Sequence, residues 1–558
     1  MFGELVRAIV WRVLKPIRVW YRRTWLYRSF LKGPLSDRIL FHPYDAMPRK
    51  LEDADALLRG RFKFAGETVE VKDATSIFDK KPPNESWLKA LHSFAWLPPL
   101  ALAGGEPARV LATNLLTQWL KRHTKYSEPA WSPEVMARRL IYLFAHGRLM
   151  IANSELMWRS KVFVSLREQS RMLARIAGEA PDGVPRFEAA AAYALSGACL
   201  GDSQRRLEDG LKCLEGEIAR QILPDGGHIT RSPEALINCY RLIMLVMDSL
   251  AANQLDVPQV IRSAHDRIAP MIRFFRHGDG GMALFNGGTE GEPRTIAGLL
   301  ARDEVRGQPF AFARHSAYQR LVAAKTVVVL DCGAVPPGPY STRAHAGCLA
   351  FEMSSGNQRV IVNCGAAGGS QPRWESALRA TAAHSTLVVG DASMAPILPP
   401  GFGRSLLGAR MLHGPQAIET RRVETTQGWS VEASHDGYVM PFGVRHERQI
   451  TLSQQGLALT GADRVLPKGS KKVQEHSFAI RFHIHPDVRV SPSQGGGVLL
   501  KLPTGEGWRF RCGTPATIEE SVYLGADQMR RTEQIVLSGT VKDAPVEVAW
   551  VFEQIGTS

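Results

Sequence analysis

The stretch "CLAFEMSSGNQRVIVNCG", residues 348–365, decides the fold of the second half of the chain. Its apolar residues alternate with polar ones or run together as β-branched residues, and "SSGNQ" at 354–358 is typical of a hairpin loop. The same period of two recurs from about residue 323 onward, between turns rich in Gly, Pro, Asn and Ser. We therefore predict a large antiparallel β-sandwich over residues 316–558.

The period changes to three or four residues on the N-terminal side, from about residue 87 to residue 275. Ser-Pro-Glu at 132–134 and again at 232–234 is typical of a helix start. Because no repeat of fixed period is present, consecutive helices favour a toroid over a solenoid. Residues 46–315 are predicted to form an all-α domain, an incomplete (α/α) toroid with a Gly-rich bridge at 277–315. The fold class is therefore multidomain α+β.

Residues 1–45 are predicted to be a separate, basic amphipathic segment. The chain has a formal charge of +15, and residues 1–32 hold eight Lys and Arg against Glu4 alone, which supplies +7 (8 − 1). Apolar residues recur at i+4 in this segment, with a kink expected at Pro16. Two interpretations remain open: the helix lies on an anionic membrane surface, or it docks on its own domain with a solvated basic face.

Localisation and partners are constrained by what the sequence lacks. Arginines interrupt the apolar runs of the N-terminal segment, so no cleavable signal peptide is recognised, and no run of 18 apolar residues predicts a transmembrane helix. Seven scattered cysteines without a C-x-x-C motif argue against a disulfide framework or a thiolate zinc site. No nucleic-acid motif accompanies the basic charge, so no nucleic-acid partner is expected. We expect a protein of the cell envelope or membrane surface, with its oligomeric state left open.

A polar turn, "PDGGHITRSP" at 224–233, interrupts the helical pattern. A plain connector needs its glycines and a serine cap, but it does not need His228 and Arg231. An arginine near a helix N-terminus opposes the helix dipole, which a bound anion would explain. The two side chains either decorate the turn or face a substrate.

Three stretches resemble the heparinase II/III-like family: "STRAHAGCLAFEMSSGNQRVIVNCG" (341–365), "RATAAHSTLVVGD" (379–391) and the turn at 224–233. The resemblance covers roughly residues 85–500. It implies an (α/α) toroid, an antiparallel β-sandwich and eliminative cleavage of acidic polysaccharides. It also implies, in some members, a structural zinc in the β-domain.

The resemblance assigns residue roles unevenly. Members neutralise the uronate carboxylate with an Asn or His on a toroid helix, whereas "RFEAAAAYALSGACL" (186–200) has only Ala and Leu where that residue is expected. The tyrosine expected at 235–236 is replaced by Ala and Leu, and Tyr240 lies about one turn later. The histidine from the β-domain matches His345. The predicted catalytic residues are His228, Tyr240 and His345.

Substrate and metal ligands follow from the same stretches. Arg231, Arg343 and Asn286, the last in the bridge "FNGGTEGE" (285–292), are predicted to bind substrate. His345, Asn363 and His384 are expected to cluster as candidate metal ligands. Because Asn is a weak zinc ligand, zinc is expected to be weak or absent and no cofactor to be required.

The resulting hypothesis is a polysaccharide lyase-like enzyme that cleaves an acidic, uronate-containing glycan by β-elimination. The alternatives are a catalytically impaired glycan-binding protein of the same fold and a peripheral membrane structural protein. For the enzyme, His228 or Arg231 is expected to approach Arg343 or His345 within about two hydrogen-bond lengths, on the order of 6–7 Å. Like-charge repulsion in such a pocket would lower the histidine pKa values and leave neutral bases.

Overall fold

The computed structural model describes residues 2–47, 49–152, 154–303, 307–367, 373–426, 428–468, 474–493, 496–526 and 528–556. The chain divides into two compact units. The first comprises Met1–Ile222 with Asn238–Asp266, and the second comprises Leu223–Ile237 with Arg267–Ser558. The second unit therefore starts before the predicted boundary at residue 316, because it includes the Gly-rich bridge and the polar turn at 224–233.

Helices are the regular elements that the structure describes between Glu85 and Phe275, which confirms the change of period seen in the sequence. They follow three N-terminal helices. Their bounds are α1 Phe2–Arg23, α2 Trp25–Ser29, α3 Leu51–Leu58, α4 Glu85–His92, α5 Leu97–Ala103, α6 Gly105–Arg122, α7 Pro133–His146, α8 Arg148–Ile151, α9 Leu156–Ile176, α10 Val184–Leu200, α11 Gln204–Gln221, α12 Pro233–Ala252, α13 Gln259–Phe275 and α14 Pro293–Ala301.

The Ala-rich helix α10 is buried almost all round, and small residues explain how closely it packs on α11. A Cβ atom added at Gly197 would lie 2.4 Å from Cα of Leu207, and one at Gly210 would lie 2.7 Å from Cα of Ala194. Glycine at both positions lets the two backbones approach. The alanines that replace the polar residue expected from the family therefore pack in the helical core.

Helix α12 is, among the described residues, long and apolar enough by composition to cross a membrane. However, 67% of that stretch is buried inside the structure, as is usual for the core helix of a folded domain.

A β-hairpin at Arg61–Phe64 (β1) and Glu67–Glu70 (β2) lies within the segment predicted to be all-α. Ala65 and Gly66 both have positive φ, 47° and 79°, which suits a two-residue hairpin turn. Phe62 is buried, and its carbonyl accepts a hydrogen bond from Nε1 of Trp87 at 3.2 Å. The helical prediction for this segment missed the alternation of Phe62 and Phe64.

The N-terminal helices dock on the first unit through their polar atoms. Arg22 of α1 forms an ion pair with Glu179, and Lys15 lies 2.7 Å from Glu128. The hydroxyl of the buried Tyr27 lies 3.1 Å from the sulfur of Met172. Several basic residues thus serve docking, while many large apolar side chains of α1 and α2 are exposed.

The second unit is built on two antiparallel sheets, whose order among the described residues is β14-β15-β16-β19-β12-β11-β10-β9 and β17-β18-β13-β7-β6-β5-β4-β3, with β8 beside β13. Their inward side chains share one apolar core. The strands are β3 Phe312–Ala313, β4 Tyr318–Ala323, β5 Thr326–Asp331, β6 Phe351–Ser355, β7 Gln358–Val362, β8 Leu387–Val389, β9 Ile418–Thr425, β10 Gly428–His435, β11 Val444–Ser453, β12 Ala458–Pro467, β13 His476–Ile484, β14 Arg489–Pro492, β15 Val498–Lys501, β16 Gly507–Cys512, β17 Ala516–Tyr523, β18 Arg530–Val541 and β19 Val546–Ile555.

Three connections between these strands position the candidate site. The first joins β5 to β6, the second joins β7 to β8 and contains the short helix α15 (Glu375–Leu378), and the third follows β8 and contains α16 (Phe402–Leu407). A third short helix, α17 (Val439–Phe442), separates β10 from β11. The predicted combination of an N-terminal helical region and an antiparallel β-sandwich is confirmed.

Candidate functional site

The loop between β5 and β6 carries His345 and is held in place by Arg379. Nε of Arg379 donates to the carbonyl of Ala344 at 2.8 Å, and Nη2 donates to the carbonyl of Ser341 at 3.0 Å. Arg379 is buried, which lowers its pKa to about 10. It is the arginine of "RATAAH", to which the sequence analysis assigned no role apart from its place in the motif.

His345 and His384 form a hydrogen-bonded pair. Nδ1 of His345 lies 3.1 Å from Nε2 of His384, and Nδ1 of His384 lies 2.9 Å from the carbonyl of Ala380. Because a carbonyl only accepts, Nδ1 of His384 carries the proton, and its Nε2 then accepts from Nδ1–H of His345. This assignment leaves Nε2 of His345 with a free lone pair, and no described residue forms a hydrogen bond with it.

Burial keeps both rings neutral. Burial, followed by the charges of His384, Arg379 and Arg343, holds the pKa of His345 well below its ordinary value. Burial alone lowers the pKa of His384, to about 4. The like-charge repulsion expected from the sequence is therefore secondary to desolvation. At neutral pH the pair presents an unprotonated Nε2 on His345, whose side chain keeps a small exposed surface.

Arg343 lies two residues before His345 and is exposed. Its Nη2 donates to the carbonyl of Gly287 at 3.2 Å, and no carboxylate of the described residues forms an ion pair with it. It is close enough to depress the pKa of His345. Arg343 therefore offers an available positive charge beside a neutral imidazole, which suits an anionic ligand.

Asn286 connects the Gly-rich bridge to the His345 loop. It has a left-handed backbone, with φ of 49°, and its Oδ1 accepts from the backbone N–H of His345 at 3.2 Å. Its Nδ2 donates to the hydroxyl of Tyr318 at 2.9 Å and to the carbonyl of Arg231 at 3.5 Å. Since its acceptor and both donor contacts are to protein atoms, Asn286 orients the loop.

Arg231 is an internal anchor of the second unit. Its guanidinium forms an ion pair with Asp331, and it also donates to the carbonyls of Ser316 at 2.9 Å and Ala334 at 3.0 Å. Although burial opposes the charge, Asp331 raises the pKa of Arg231. The turn thus carries an arginine that binds an anion, but that anion is a protein carboxylate 100 positions along the chain.

His228 is buried in the same turn. Its Nδ1 accepts from the backbone N–H of Thr230 at 3.2 Å and lies 2.7 Å from the hydroxyl of that residue. Nε2 therefore carries the proton. Burial lowers the pKa of His228 to about 3, so the ring is neutral. Hydrogen bonds connect this turn to His345 through the carbonyl of Arg231 and the side chain of Asn286.

Tyr240 lies in the first unit and is fully buried. Its hydroxyl is 3.0 Å from Nε2 of His265, and the two rings are stacked with centroids 5.0 Å apart. This environment is that of a core tyrosine.

The three candidate metal ligands meet only in part. Asn363 donates from Nδ2 to Glu352 at 3.2 Å, and its Oδ1 accepts from the backbone N–H of Ser385 at 3.0 Å. Its side chain is therefore bonded next to His384 without being directed at a shared ion. Over the described part of the chain, no group of three His, Cys, Asp or Glu side chains has the spacing of a metal site. These residues do not supply the donor set of a zinc centre.

Glu352 is a buried carboxylate that the sequence analysis missed. Its Oε2 accepts from His277 at 3.1 Å and from the backbone N–H of Leu284 at 3.0 Å, and its Oε1 accepts from the backbone N–H of Asn363 at 2.9 Å. It therefore ties the Gly-rich bridge to strands β6 and β7. An acidic residue inside an apolar strand was the available signal, since such a group needs partners when buried.

Comparison with known proteins agrees with the fold described above. Residues 305–551 match a family model described as Heparinase II/III-like, C-terminal. The chain is 29% identical over 564 residues to FtsZ-localized protein C of Caulobacter vibrioides (strain NA1000 / CB15N), which covers 98% of this chain and 96% of that protein.

Solved structures show the same fold. A crystal structure of heparinase III covers 99% of this chain and 92% of its own, with 15% identity and a TM-score of 0.71. A heparan sulfate lyase HepC mutant from Pedobacter heparinus covers 95% and 88%, with 14% identity and a TM-score of 0.63. The predicted resemblance is thus confirmed: residues 305–551 match the Heparinase II/III-like, C-terminal model, and the chain has the fold of the heparinase III structure.

Proposed function

We propose that this chain binds an acidic, uronate-containing glycan and cleaves it by β-elimination, with Nε2 of His345 as the base. The observation that carries the proposal is the oriented pair of His345 and His384, which leaves one unprotonated nitrogen without a partner among the described residues. A base of this kind must be neutral before the reaction and within reach of the substrate proton.

The chemistry balances with these groups. Nε2 of His345 takes the proton from C5 of the uronate, a C4–C5 double bond forms, and the C4–O bond breaks. The leaving oxygen takes up a proton, which comes from an acid or from water. Arg343 lies beside the carboxylate and offsets the negative charge that develops on it. Asn286 and Arg231 act as positioning residues, because their contacts hold the His345 loop and the neighbouring turn.

The test is a screen of the purified full chain against acidic glycans. Cleavage by elimination creates a conjugated double bond, so it appears as new ultraviolet absorbance, whereas hydrolysis produces none. Calorimetric binding to the same glycans is measured in parallel, with neutral glycans as the control. Absorbance with an acidic glycan supports the proposal, and the absence of both binding and absorbance overturns it.

A glycan-binding protein without turnover is the second candidate function. Two observations favour it: Tyr240 is buried against His265, and helix α10 presents alanines where the family uses a polar residue. For the enzyme, His228, with its proton on Nε2, is the remaining candidate for the acid. Binding without new absorbance would select this second function and reject the enzyme.

Attachment to a membrane surface is a further part of the proposal and concerns residues 1–32. Val13 and Ile17 of α1 are 66% and 60% exposed, and Trp25 of α2 is 81% exposed, among basic residues. Apolar side chains interleaved with cations favour the interface of an anionic bilayer. The relative's name places that protein with FtsZ, and on this basis we assign the present chain to the cell envelope.

Vesicle sedimentation tests the attachment. The Val13→Asp and Ile17→Asp variants change exposed positions, so they should keep the melting temperature and lose binding to phosphatidylglycerol vesicles at low salt. Because Arg22 and Tyr27 hold the segment on the first unit, deleting the segment would change both vesicle binding and the melting temperature. Undiminished sedimentation of both variants would reject the membrane contact.

A further inference from the structure

A groove of about 400 Å³ lies between helices α6 and α9 in the first unit. Leu120, Trp131, Trp158 and Val164 supply its apolar lining. Trp158 and Glu168 both line it and are ten residues apart on α9, so the groove follows that helix for about 15 Å. It lies outside the second unit and has no part in the chemistry of His345.

The two tryptophans of the lining present apolar surface. Nε1 of Trp131 donates to the carbonyl of His123 at 3.1 Å, and Nε1 of Trp158 donates to the hydroxyl of Thr117 at 2.8 Å. Both indoles have therefore placed their only polar atom in a bond to protein, and their rings offer apolar surface.

The rim of the groove is basic. Lys121 and Lys161 are exposed, and neither has an ion-pair partner among the described residues. Arg28 lies 3.5 Å from Glu168, the one carboxylate of the lining, so three cations stand against one anion. An apolar floor with a positive rim fits a molecule with an apolar chain and an anionic head.

Exposed apolar side chains lie at both ends of the groove. At the α2 end, Trp25 and Phe30 are exposed on either side of Arg28. At the α9 end, Leu156 and Met157 precede Trp158 and are 68% and 65% exposed. Exposed large apolar groups are typical of a site of interaction with a protein or a membrane. Arg28 belongs both to the lining of the groove and to the basic segment of residues 1–32.

We infer that the α6–α9 groove holds one acyl chain of an anionic membrane phospholipid, with the phosphate near Lys121, Lys161 and Arg28. A peptide would have to bring acidic side chains to the same three cations, whereas the phosphate of a lipid supplies that charge directly. An acyl chain needs no hydrogen-bond partner, and the exposed apolar surface places the groove at the membrane interface.

The inference extends the membrane contact proposed above, so its test avoids bilayers. Full-length protein is mixed with phosphatidylglycerol dispersed in detergent, and the lipid bound per chain is read by native mass spectrometry. One lipid is expected per chain. Val164→Trp fills the groove and should reduce occupancy at least about tenfold, since buried CH₂ groups supply the binding. Val110→Trp, at an exposed position of helix α6 outside the lining, is the control and should bind as the wild type does.

Charge variants test the headgroup. The double variant Lys121→Gln and Lys161→Gln should weaken phosphatidylglycerol binding several-fold and remove its preference over phosphatidylcholine, while Lys212→Gln on α11 should not. Ile17→Asp should lose vesicle sedimentation and keep the single bound lipid, which separates the two proposals. Unchanged occupancy in Val164→Trp overturns the inference. Wild-type protein that takes up no lipid at saturation also overturns it and would assign the groove to a peptide.

Discussion

Two histidine pairs of the second unit have nearly the same geometry but different surroundings. In the open pair, His345 and His384, the bonded nitrogens are 3.1 Å apart and the rings meet edge to face at 80°. In the closed pair, His435 and His446, the corresponding values are 3.2 Å and 86°.

The pairs differ at their ends. Asp463 accepts from Nε2 of His446 at 2.7 Å, and the backbone N–H of Gly437 donates to Nδ1 of His435 at 3.1 Å, so the closed pair has a protein partner at each end. The open pair ends on Nε2 of His345. A pair of hydrogen-bonded histidines can therefore either stabilise a core or present a reactive nitrogen. Which of the two it does depends on whether a third protein group bonds to the outer nitrogen.

The largest expected effect is at the end of the closed pair. Asp463 accepts hydrogen bonds from His446, Arg448 and Trp550 in the buried core. Asp463→Asn leaves the Arg448 charge buried and unpaired, which should cost about 3–5 kcal/mol of unfolding free energy. Urea denaturation measures the loss. A change below about 1 kcal/mol would mean that this carboxylate does not hold the pair.

Equivalent substitutions in the two pairs sharpen the contrast. His345→Gln should reduce glycan cleavage by at least about 10²-fold, because it removes the base, and should change stability by only about 1 kcal/mol. His435→Gln should show the reverse, a loss of stability with cleavage retained in the folded fraction. Initial rates of cleavage and denaturation curves are measured for both variants. Similar cleavage rates for the two would show that the open pair has a structural role.

Lowering the pH should reduce the free energy of unfolding through both histidine pairs. Burial lowers the pKa of His384 to about 4, so between pH 7 and pH 5 the unfolded chain binds a proton there that the folded chain does not. Stability therefore falls as pH falls, by about 2 kcal/mol for this histidine. His384→Gln should reduce the pH-dependent loss by that amount in denaturation series at the two pH values. An unaltered slope would contradict the lowered pKa.

The smallest effect concerns the exposed cation of the open pair. Arg343→Gln should weaken binding of an acidic glycan by about 1 kcal/mol and reduce its salt dependence, with no change in stability beyond about 0.5 kcal/mol. Arg489→Gln, which removes an exposed charge from strand β14, is the matched control. Calorimetry at two salt concentrations compares the two variants. Equal losses of glycan affinity in both would mean that Arg343 contributes only through the net charge of the protein.

The sequence predicted more of the fold than of the site. The change of period predicted helices from about 87 to 275 and strands after 325, and the motifs placed His345 and His384 together. It missed the hairpin of β1 and β2, because two short strands with one buried Phe give little signal within a helical region. The sequence suggested that Arg231 binds an anion, but the residues of the turn did not show that this anion is Asp331.

The sequence by itself determined the periodicity, the excess positive charge of the N-terminal segment and the motif histidines, because each is a local property of neighbouring residues. Only the tertiary structure decided which hydrogen-bonding atoms are left over. Arg231, Asn286 and Asn363 are bonded within the protein, whereas among the described residues Nε2 of His345 has no hydrogen-bond partner and Arg343 has no ion-pair partner. The physical reason is that a buried polar group is satisfied by whatever the fold brings near it, often from far along the chain.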